Sequence, residues 1–472
     1  MPANQKTRRP FAASPHRKNL DAQIVELFLK RYADRFKFDH DAKRWAEWTG
    51  AIWDRQANPA AYQALWDMLD SYNSLCQYVD ATTIRSFLDL AKYHPDIAIR
   101  DVAWDANPWL LATPTGTIDL QTGLHRPSDP ADYLSIASPV TPAETEDCPR
   151  WHRFWEEVLP GDPASVRAIK QFSGYALSGD TTLQFLLFLY GSGRNGKGTW
   201  TRIMKYLLGA YYLEAPRETF TTGHRGWQPT MRMDYPILRG RRLITADEPD
   251  DGTSWAEGTL KAFTGGNDLT GRNPGQIMGT FTPVGKLAAI GNNKPRLKNT
   301  TTAMIERLHL LGFLVEILNR DPKLDETLRA EAPGILRWCI NGCLDIQANG
   351  FIPSPAMNQQ KAQYLAEEDY IGQWLGECCE LGPLYAVSIR DLKKTWAGWV
   401  KENAAGEDVH SDRGVINALT MNPKYSCSRA KDFNHYGEAI RGHGLKGIRL
   451  KPSDVSDLPA TFRAAQTSLV KA

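Results

Sequence analysis

A glycine-rich segment at residues 191–199 has the residue types that bind phosphate groups. Its sequence, GSGRNGKGT, has the spacing G-x-x-x-x-G-K. Glycines let successive backbone N–H groups point into one concavity, and a helix that begins there adds positive potential. Lys197 would reach the β- and γ-phosphates of a nucleotide as a point charge. The segment therefore predicts a nucleotide-binding loop. The alternative is a structural glycine turn that binds nothing.

One position of this segment departs from the usual pattern. The Ser or Thr that normally follows the lysine and binds Mg²⁺ is replaced by Gly198, and Thr199 would supply the hydroxyl one residue later. The departure favours an inert homologue that binds ATP and Mg²⁺ weakly. We nevertheless predict ATP and Mg²⁺ as cofactors. The predicted nucleotide contacts are Gly191, Gly193, Asn195, Gly196, Lys197, Gly198 and Thr199.

Two later apolar segments end in side chains that are suited to hydrolysis. RRLITADE ends in Asp247 and Glu248, and KLAAIGNN contains Asn292. Beside a phosphate loop, one carboxylate can hold Mg²⁺ and the other can polarise the attacking water. An amide at Asn292 can orient that water or sense the γ-phosphate. We predict these three residues as catalytic, with Asp247 and Thr199 holding Mg²⁺ through ATP. In isolation, the acids would be an ordinary exposed pair and the asparagine a turn residue.

Strands that alternate with helices from about residue 150 predict the elements that position these side chains. Such alternation is typical of an α/β domain with a mainly parallel sheet. The predicted strands lie at 183–190, 238–245 and 286–291, and the predicted helices at 151–159, 164–178 and 323–349. Before this region, we predict short strands and turns at 36–53 and a small β-hairpin at 115–123.

The same patterns predict several domains along the chain. A length of 472 residues suggests two to four domains. The first predicted segments are a basic flexible tail at 1–20 and a mainly helical domain with small β-hairpins at 21–149. An ATPase domain at 150–320 follows, and then a helical lid and linker at 321–362, in which the linker is 350–362. The last segment is a small C-terminal domain at 363–472. The tail is a solvated segment or a basic arm that touches nucleic acid.

Composition excludes several protein classes. With 42% hydrophobic and 23% charged residues, the chain is neither wholly disordered, collagenous nor coiled-coil. The net charge of +2 means that any nucleic-acid affinity must come from local basic patches. The longest apolar run, about 183–190, is shorter than the roughly 20 residues of a membrane span. Seven cysteines without a C-x-x-C pair suggest neither a disulfide framework nor a zinc module. We predict a cytoplasmic location, in a bacterial host, and no membrane partner.

The order of GSGRNGKGT, LITADE, LKAFTGGNDLTGR and KLAAIGNNKP resembles superfamily 3 helicases. The similarity is to the helicase domain of phage, plasmid and poxvirus-type primase-helicases, and it covers roughly residues 150–315. The tryptophan-rich segment at 36–53 and the segment at 109–123 are similar to the N-terminal region of that family.

This resemblance implies an AAA+-like P-loop domain, a C-terminal winged-helix-like domain and self-association into a hexameric ring around DNA, with ATP between subunits. Arg307 matches the arginine finger that reaches the next subunit's γ-phosphate. The family often has two adjacent arginines there, whereas this chain has Glu306 before Arg307. A β-hairpin within 269–283 would point into the pore. The predicted DNA contacts are Arg272, Gln276 and Lys261.

We therefore expect an ATP-dependent helicase that unwinds single-stranded or forked DNA for a phage, plasmid or other mobile element. The pair Asp39-x-Asp41 lies in a short aromatic turn, so we predict no primase site and a possible separate primase. One alternative is a replication initiator or loader that melts DNA without processive unwinding. Others are a small-molecule kinase with the same loop and an inert homologue.

Overall fold

The computed structural model describes residues 15–72, 74–222, 235–247, 254–271, 279–292, 294, 295, 297, 302–318, 321–404, 411–435 and 438–451. No helix in these segments is both long and apolar enough to cross a bilayer.

The N-terminal region combines three helices with two small sheets. Its elements are α1 (Pro15–Tyr32), β1 (Phe36–Asp39), β2 (Arg44–Trp48), β3 (Trp53–Asp54), α2 (Asn58–Asp70), α3 (Ala81–Ala91), β4 (Ala98–Ile99), β5 (Leu110–Thr113), β6 (Gly116–Asp119) and β7 (Leu124–Arg126). One sheet has the order β3-β2-β1-β4, and β5-β6-β7 form an antiparallel meander. The short strands predicted at 36–53 and the hairpin at 115–123 are therefore present. Phe28, Phe36 and Trp45 pack in the core between the helices and the first sheet.

A parallel sheet flanked by helices dominates the middle of the chain. Its elements are α4 (Pro149–Val158), α5 (Pro163–Tyr175), β8 (Leu186–Tyr190), α6 (Lys197–Leu208), β9 (Tyr212–Ala215), β10 (Thr221–Thr222), β11 (Leu243–Ala246), β12 (Ser254–Trp255), α7 (Glu257–Thr264), β13 (Leu269–Gly271), β14 (Gly279–Phe281), β15 (Lys286–Gly291), α8 (Thr302–Arg307), β16 (Leu308–Gly312), α9 (Leu324–Ala330) and α10 (Ala332–Asn349).

Five of these strands form the sheet, in the order β16-β8-β15-β11-β9, and each neighbouring pair is parallel. Both faces are covered, because Leu187 and Leu189 pack in one core while Leu186 and Phe188 pack in the other. This explains why β8, with the sequence LLFLY, is a continuous apolar run and does not alternate apolar and polar residues. The predicted mixed α/β architecture with a parallel sheet and a helical N-terminal region is confirmed.

Two predicted strands are shorter than expected. The strand expected at 183–190 begins at Leu186, because the Leu183 N–H donates to the Tyr175 hydroxyl (3.0 Å) instead. The strand expected at 238–245 begins at Leu243 and is preceded by a 3₁₀ turn. There the buried Arg242 guanidinium donates to the carbonyls of Leu177 (2.5 Å) and Leu110 (2.8 Å), which ties the N-terminal region to the sheet.

The C-terminal region contains α11 (Pro355–Glu368), α12 (Tyr370–Cys378), β17 (Cys379–Ser388), α13 (Ile389–Asn403), α14 (Asp412–Met421), β18 (Ser428–His435) and β19 (Glu438–Leu450). Strands β17-β19-β18 form an antiparallel sheet. Trp374, Trp396 and Trp399 pack in its core with α12, α13 and α14.

The linker expected at 350–362 is wrong for most of its length, because α11 begins at Pro355. The Ser354 hydroxyl accepts the Met357 N–H (3.1 Å) as an N-cap, and proline suits the first helical position. Tyr364 of α11 is buried, and its hydroxyl bonds the Pro295 carbonyl and accepts from Trp255 Nε1 (3.3 Å). These contacts show that α11 packs against the region of the sheet.

Candidate nucleotide-binding site

The glycine-rich segment connects the end of β8 to the start of α6, at the carboxyl edge of the parallel sheet. Gly191 has φ +151° and Gly196 has φ +99°. A Cβ atom at Gly191 would lie 2.1 Å from the Phe313 carbonyl oxygen, and one at Gly196 would lie 2.7 Å from Val158 Cγ2. Side chains are therefore excluded at both positions, and the loop backbone forms a tight cradle beside the N-terminus of α6.

Two buried side chains fix the shape of this loop. Asn195 Nδ2 donates to the Phe313 carbonyl (2.6 Å). Lys197 Nζ donates to the Gly191 carbonyl (2.6 Å) and lies 3.4 Å from Asn292 Oδ1. Asn292 follows β15, the strand beside β8, so the parallel register brings these two residues together across 95 positions of sequence. The structure thus places the predicted lysine and asparagine in one site.

Thr199 lies on the first turn of α6, as expected for a residue that would help to hold Mg²⁺. Its side chain is buried, and its hydroxyl accepts a hydrogen bond from Arg202 Nη2 (3.2 Å). Arg202 also binds both carboxylate oxygens of Asp325 in α9, at 2.7 and 3.1 Å. Gly198 lies beside Thr199 and also lines the cleft described next. The Arg202–Asp325 pair was missed by sequence reasoning, although the spacing of three residues from Thr199 places Arg202 on the same helix face.

These residues line a cleft of about 670 Å³ between the loop, α4 and α9. Its ionisable lining residues are Arg150, Glu157, Arg194, Lys197, Arg202, Asp321 and Asp325. Arg150 binds Glu157 (3.2 Å) and lies 3.8 Å from Asp321, while its Nη1 atom is buried without a hydrogen-bond partner. A phosphate oxygen would satisfy such a donor. No local motif pointed to Arg150, because it precedes the loop by about forty residues and reaches the cleft only through the packing of α4.

Asp247 follows β11, two strands away from β8 in the sheet. Two strand spacings correspond to about 10 Å. The pKa of Glu214 is raised. The largest cause is its hydrogen bond with Asp247, and burial and repulsion by the Asp247 carboxylate add to it. The sequence alone did not predict this pair of carboxylates. Glu214 lies on β9, and only the pairing of β9 with β11 brings it close to Asp247. Glu248, the predicted general base, lies outside the described residues.

Arg307 lies at the end of the sheet opposite the glycine loop. It precedes Leu308, which is paired with Leu186 at the start of β8. Six residues at about 3.3 Å each separate its level from Gly191, on the order of 20 Å. Its Nε donates to Thr264 Oγ1 (3.1 Å) and its Nη1 to the Ala303 carbonyl (2.5 Å). It is therefore not brought together with Lys197 within one chain.

The predicted DNA contacts are only partly described. Lys261 lies on α7, with its ammonium 3.8 Å from the Glu257 carboxylate. Arg272 and Gln276 lie outside the described residues. The strands that flank them, β13 and β14, pair antiparallel from Leu269–Phe281 to Gly271–Gly279. The predicted contacts are therefore flanked by two strands that pair with each other.

Two protein-family models match this chain. Residues 25–160 match the family described as "D5 N terminal like". Residues 189–307 match a "Family of unknown function (DUF5906)". The second match includes the glycine loop, Asp247 and Asn292.

Three viral proteins show low sequence similarity to the chain. The first, "Putative helicase L207/L206" of Acanthamoeba polyphaga mimivirus, is 23% identical over 380 residues, which are 75% of this chain and 37% of that protein. The second, "Putative helicase 121R" of Invertebrate iridescent virus 3, is 24% identical over 282 residues, covering 58% and 29%. The third, "Putative helicase 022R" of Frog virus 3 (isolate Goorha), is 22% identical over 288 residues, covering 56% and 29%. The chain thus spans 37% of the length of the first relative and 29% of the length of each of the other two.

A solved structure shares the fold. The apo structure of the NrS-1 C terminal region superposes with a TM-score of 0.53 and 9% sequence identity, covering 91% of this chain and 99% of that chain. At this identity the likeness concerns the fold alone.

Proposed function

We propose that this chain is the motor part of an ATP-dependent DNA helicase that serves the replication of a virus, plasmid or other mobile element. One observation carries the proposal: Lys197 Nζ lies inside the glycine loop, 2.6 Å from the Gly191 carbonyl and 3.4 Å from Asn292 Oδ1. A lysine and a polar amide at the carboxyl edge of a parallel sheet suit the phosphates of a nucleotide. The helicase names of the three viral relatives support DNA unwinding as the use of that nucleotide.

The residues of the cleft fit ATP with Mg²⁺. The cradle at Gly191 and Gly196 excludes side chains, so phosphate oxygens can approach the loop N–H groups. Thr199 and Asp247 would hold Mg²⁺, which would supply charge neutralisation at the phosphates. Lys197 would exchange the Gly191 carbonyl for a phosphate oxygen, Asn292 would position the attacking water, and Glu248 would accept its proton.

The position of Arg307 supports an assembly in which one chain completes its neighbour's site. Since the backbone of Arg307 lies on the order of 20 Å from the glycine loop of the same chain along the sheet, its guanidinium would act on the γ-phosphate bound by another subunit. We propose a hexameric ring with the β13–β14 hairpin, Arg272 and Gln276 facing DNA in the pore, and Lys261 as a further contact. The C-terminal antiparallel sheet with α12, α13 and α14 would be a winged-helix-like DNA or protein contact. A separate primase would act in trans.

Strand displacement on a forked DNA duplex with ATP and Mg²⁺ tests the proposal. We expect Lys197→Ala to abolish unwinding and ATP hydrolysis, because it removes the cation of the loop. Lys30→Ala, which changes an exposed lysine of α1 paired with Glu26 (2.9 Å), is the control and should unwind normally.

Each other outcome identifies an alternative. Lys197-dependent hydrolysis stimulated by DNA but without unwinding would favour an initiator or loader. Hydrolysis by a monomer that ignores DNA would favour a small-molecule kinase. Folded protein that neither binds nor hydrolyses ATP would favour an inert homologue.

A further inference from the structure

A second cleft, far from the glycine loop in sequence, lies in the N-terminal region between β1, β2, α2 and α3. Its volume is about 560 Å³, within the range of about 300–1,000 Å³ typical of ligand sites. Its wall contains the rings of Phe38, His40, Tyr62 and Tyr93. We call it the aromatic cleft.

Tyr93, which is exposed, and His40, which is half-buried, form a ring surface in the wall of this cleft. Tyr93 is 68% exposed, which is unusual for a side chain of its size. The centroid of its ring lies 5.3 Å from that of His40, with 34° between the planes. His40 Nε2 donates to the Lys92 carbonyl (2.8 Å), which fixes the orientation of the imidazole. The pair therefore offers a held aromatic face on which a flat ring can stack.

Basic side chains surround these rings. Lys43, Arg85 and Lys92 line the cleft, and Asp89 is the acidic residue of its wall. Asp89 binds Lys92 (2.7 Å), whose ammonium also lies 5.2 Å from the Tyr93 ring centroid. Positive charge is thus in excess, and it lies next to the aromatic faces.

The backbone turn that carries Lys43 is in an uncommon conformation. Lys43 has φ +55°, a left-handed value that residues with a Cβ atom seldom adopt. The buried Asp39 carboxylate holds this turn, since its Oδ1 accepts the Asp41 and Ala42 N–H groups (2.9 Å each). Its Oδ2 accepts from Arg55 (2.7 Å). The turn therefore places Lys43 at the edge of the cleft with a rigid backbone.

We propose that the aromatic cleft binds single-stranded DNA, with a base stacked on Tyr93 and His40 and adjacent phosphates paired with Lys43, Arg85 and Lys92. Aromatic rings beside a basic groove bind a strand without reading its sequence. An acidic peptide would use the cations but leave the rings without partners, so the strand fits the wall better. This contact adds to the DNA-binding role proposed above but shares none of its residues.

Photo-cross-linking locates the contact. The full chain, without ATP, is irradiated with an oligonucleotide of about 20 nucleotides that carries 5-iododeoxyuridine, longer than the 4–16 nucleotides of typical strand-binding sites. We expect the cross-linked peptide to contain Tyr93 or His40. A cross-link found only on other segments would overturn the proposal.

Variants measure the contribution of the rings. Tyr93→Ala should weaken oligonucleotide binding about 5- to 150-fold, the range for loss of one stacked base. Tyr72→Ala, which removes a 41% exposed tyrosine of the same region outside the cleft, is the matched control and should bind like the unmodified chain. Equal binding by both variants, or equal loss in both, would contradict stacking on Tyr93.

Charge and ligand size provide the remaining comparisons. Arg85→Ala should lower the slope of log Kd against log salt by about 0.7, as expected for one phosphate contact, whereas Lys30→Ala should not. Free dTMP, added at the nucleotide concentration of the oligonucleotide, should leave the cross-link intact. Displacement by dTMP as efficient as by the strand would instead identify a free-nucleotide site and overturn the proposal. If ATP-dependent unwinding is absent but the cross-link is present, the proposed helicase activity is refuted and the proposed role of the aromatic cleft is not.

Discussion

The position after the lysine would decide how the proposed nucleotide site holds Mg²⁺. Thr199 has a buried hydroxyl hydrogen-bonded to Arg202 (3.2 Å), whereas Gly198 offers no ligand. A Cβ atom at Gly198 would meet only Arg202 Nη1, at 3.2 Å, which is the flexible end of a side chain. A serine therefore fits at residue 198, and the two candidate positions can be compared directly.

We predict that Thr199→Ala raises the Mg²⁺ concentration needed for half-maximal ATP hydrolysis by at least about tenfold, because a metal ligand is lost. A Mg²⁺ titration of the hydrolysis rate measures this. Thr201→Ala is the control in the same helix, since its hydroxyl binds the Lys197 carbonyl (3.1 Å) and does not line the cleft. A different result would contradict this role of Thr199. If Thr199→Ala behaves like the control while Gly198→Ser tightens Mg²⁺ binding, then residue 198 is the position from which a hydroxyl reaches Mg²⁺, and the unmodified chain lacks that ligand.

His309 makes stability depend on pH. It packs against the rings of Phe185 and Phe351, with centroids at 4.9 and 4.8 Å. Burial, and then the charge of Lys361, lowers the pKa of His309 from 6.5 to about 3. Below pH 6.5 the unfolded chain binds a proton that the native chain does not, so stability falls as pH falls toward 3.

The expected loss from this histidine between pH 7.5 and pH 5 is about 2 kcal/mol of unfolding free energy. His309→Phe should show a correspondingly smaller decrease over that interval. Urea unfolding at the two pH values measures the difference between the proteins, so a constant change in stability does not affect it. Identical decreases would show that His309 titrates alike in both states.

At the scale of elements, helices α5 and α10 are in unusually close contact. A Cβ atom at Gly174 would lie 2.2 Å from the Cys343 nitrogen, and one at Gly342 would lie 2.2 Å from the Lys170 carbonyl oxygen. Cys339 and Cys343 of α10 are buried in this contact. The two glycines therefore set the distance between the helix that precedes β8 and the helix that closes the region.

Gly174→Ala should lower the free energy of unfolding by about 1–3 kcal/mol or more, because backbone atoms of α10 cannot yield as a side chain does. Gly398→Ala in α13 is the matched control, since no atom of the described residues lies within 4 Å of its Cβ position. There the better helix propensity of alanine should raise stability by about 1 kcal/mol. Thermal or urea unfolding distinguishes the two, and equal effects would contradict the close contact.

For the whole molecule, the proposed ring makes a specific prediction about mixed assemblies. Arg307 contacts Thr264 and Ala303 within its own chain, at the end of the sheet opposite the loop. If Arg307 serves the neighbouring site, a subunit that carries Arg307→Ala impairs the nucleotide site of the adjacent subunit and not its own. Such damage spreads through an assembly in a way that a local defect does not.

Mixing Arg307→Ala with an equal amount of unmodified chain should leave about half of the ATP hydrolysis. Unwinding that needs every interface of a hexamer should fall to about 2%. Strand displacement and hydrolysis assays across mixing ratios measure both, with Arg31→Ala, an exposed arginine of α1, as the control. Unwinding that falls in simple proportion to the variant fraction would refute the role in trans.

The sequence by itself determined the features whose physics is local. The glycine spacing of residues 191–199, the apolar strand before it and the helix after it depend on backbone freedom and short-range hydrogen bonds. The same holds for the small hairpins near the N-terminus and for the apolar strand before Asn292. Local pattern misled at residues 350–362, where a cap and a buried tyrosine turned an expected linker into α11, and at the starts of β8 and β11.

Only the tertiary structure decided which distant side chains share a site. Asn292 lies beside Lys197 because β15 pairs with β8, and Glu214 meets Asp247 because β9 pairs with β11. The aromatic cleft needs β1 and α3, which are separated by more than forty residues. Strand order and helix packing depend on burying apolar area, to which every part of the chain contributes. Residue spacing along one segment therefore carries no information about these neighbours.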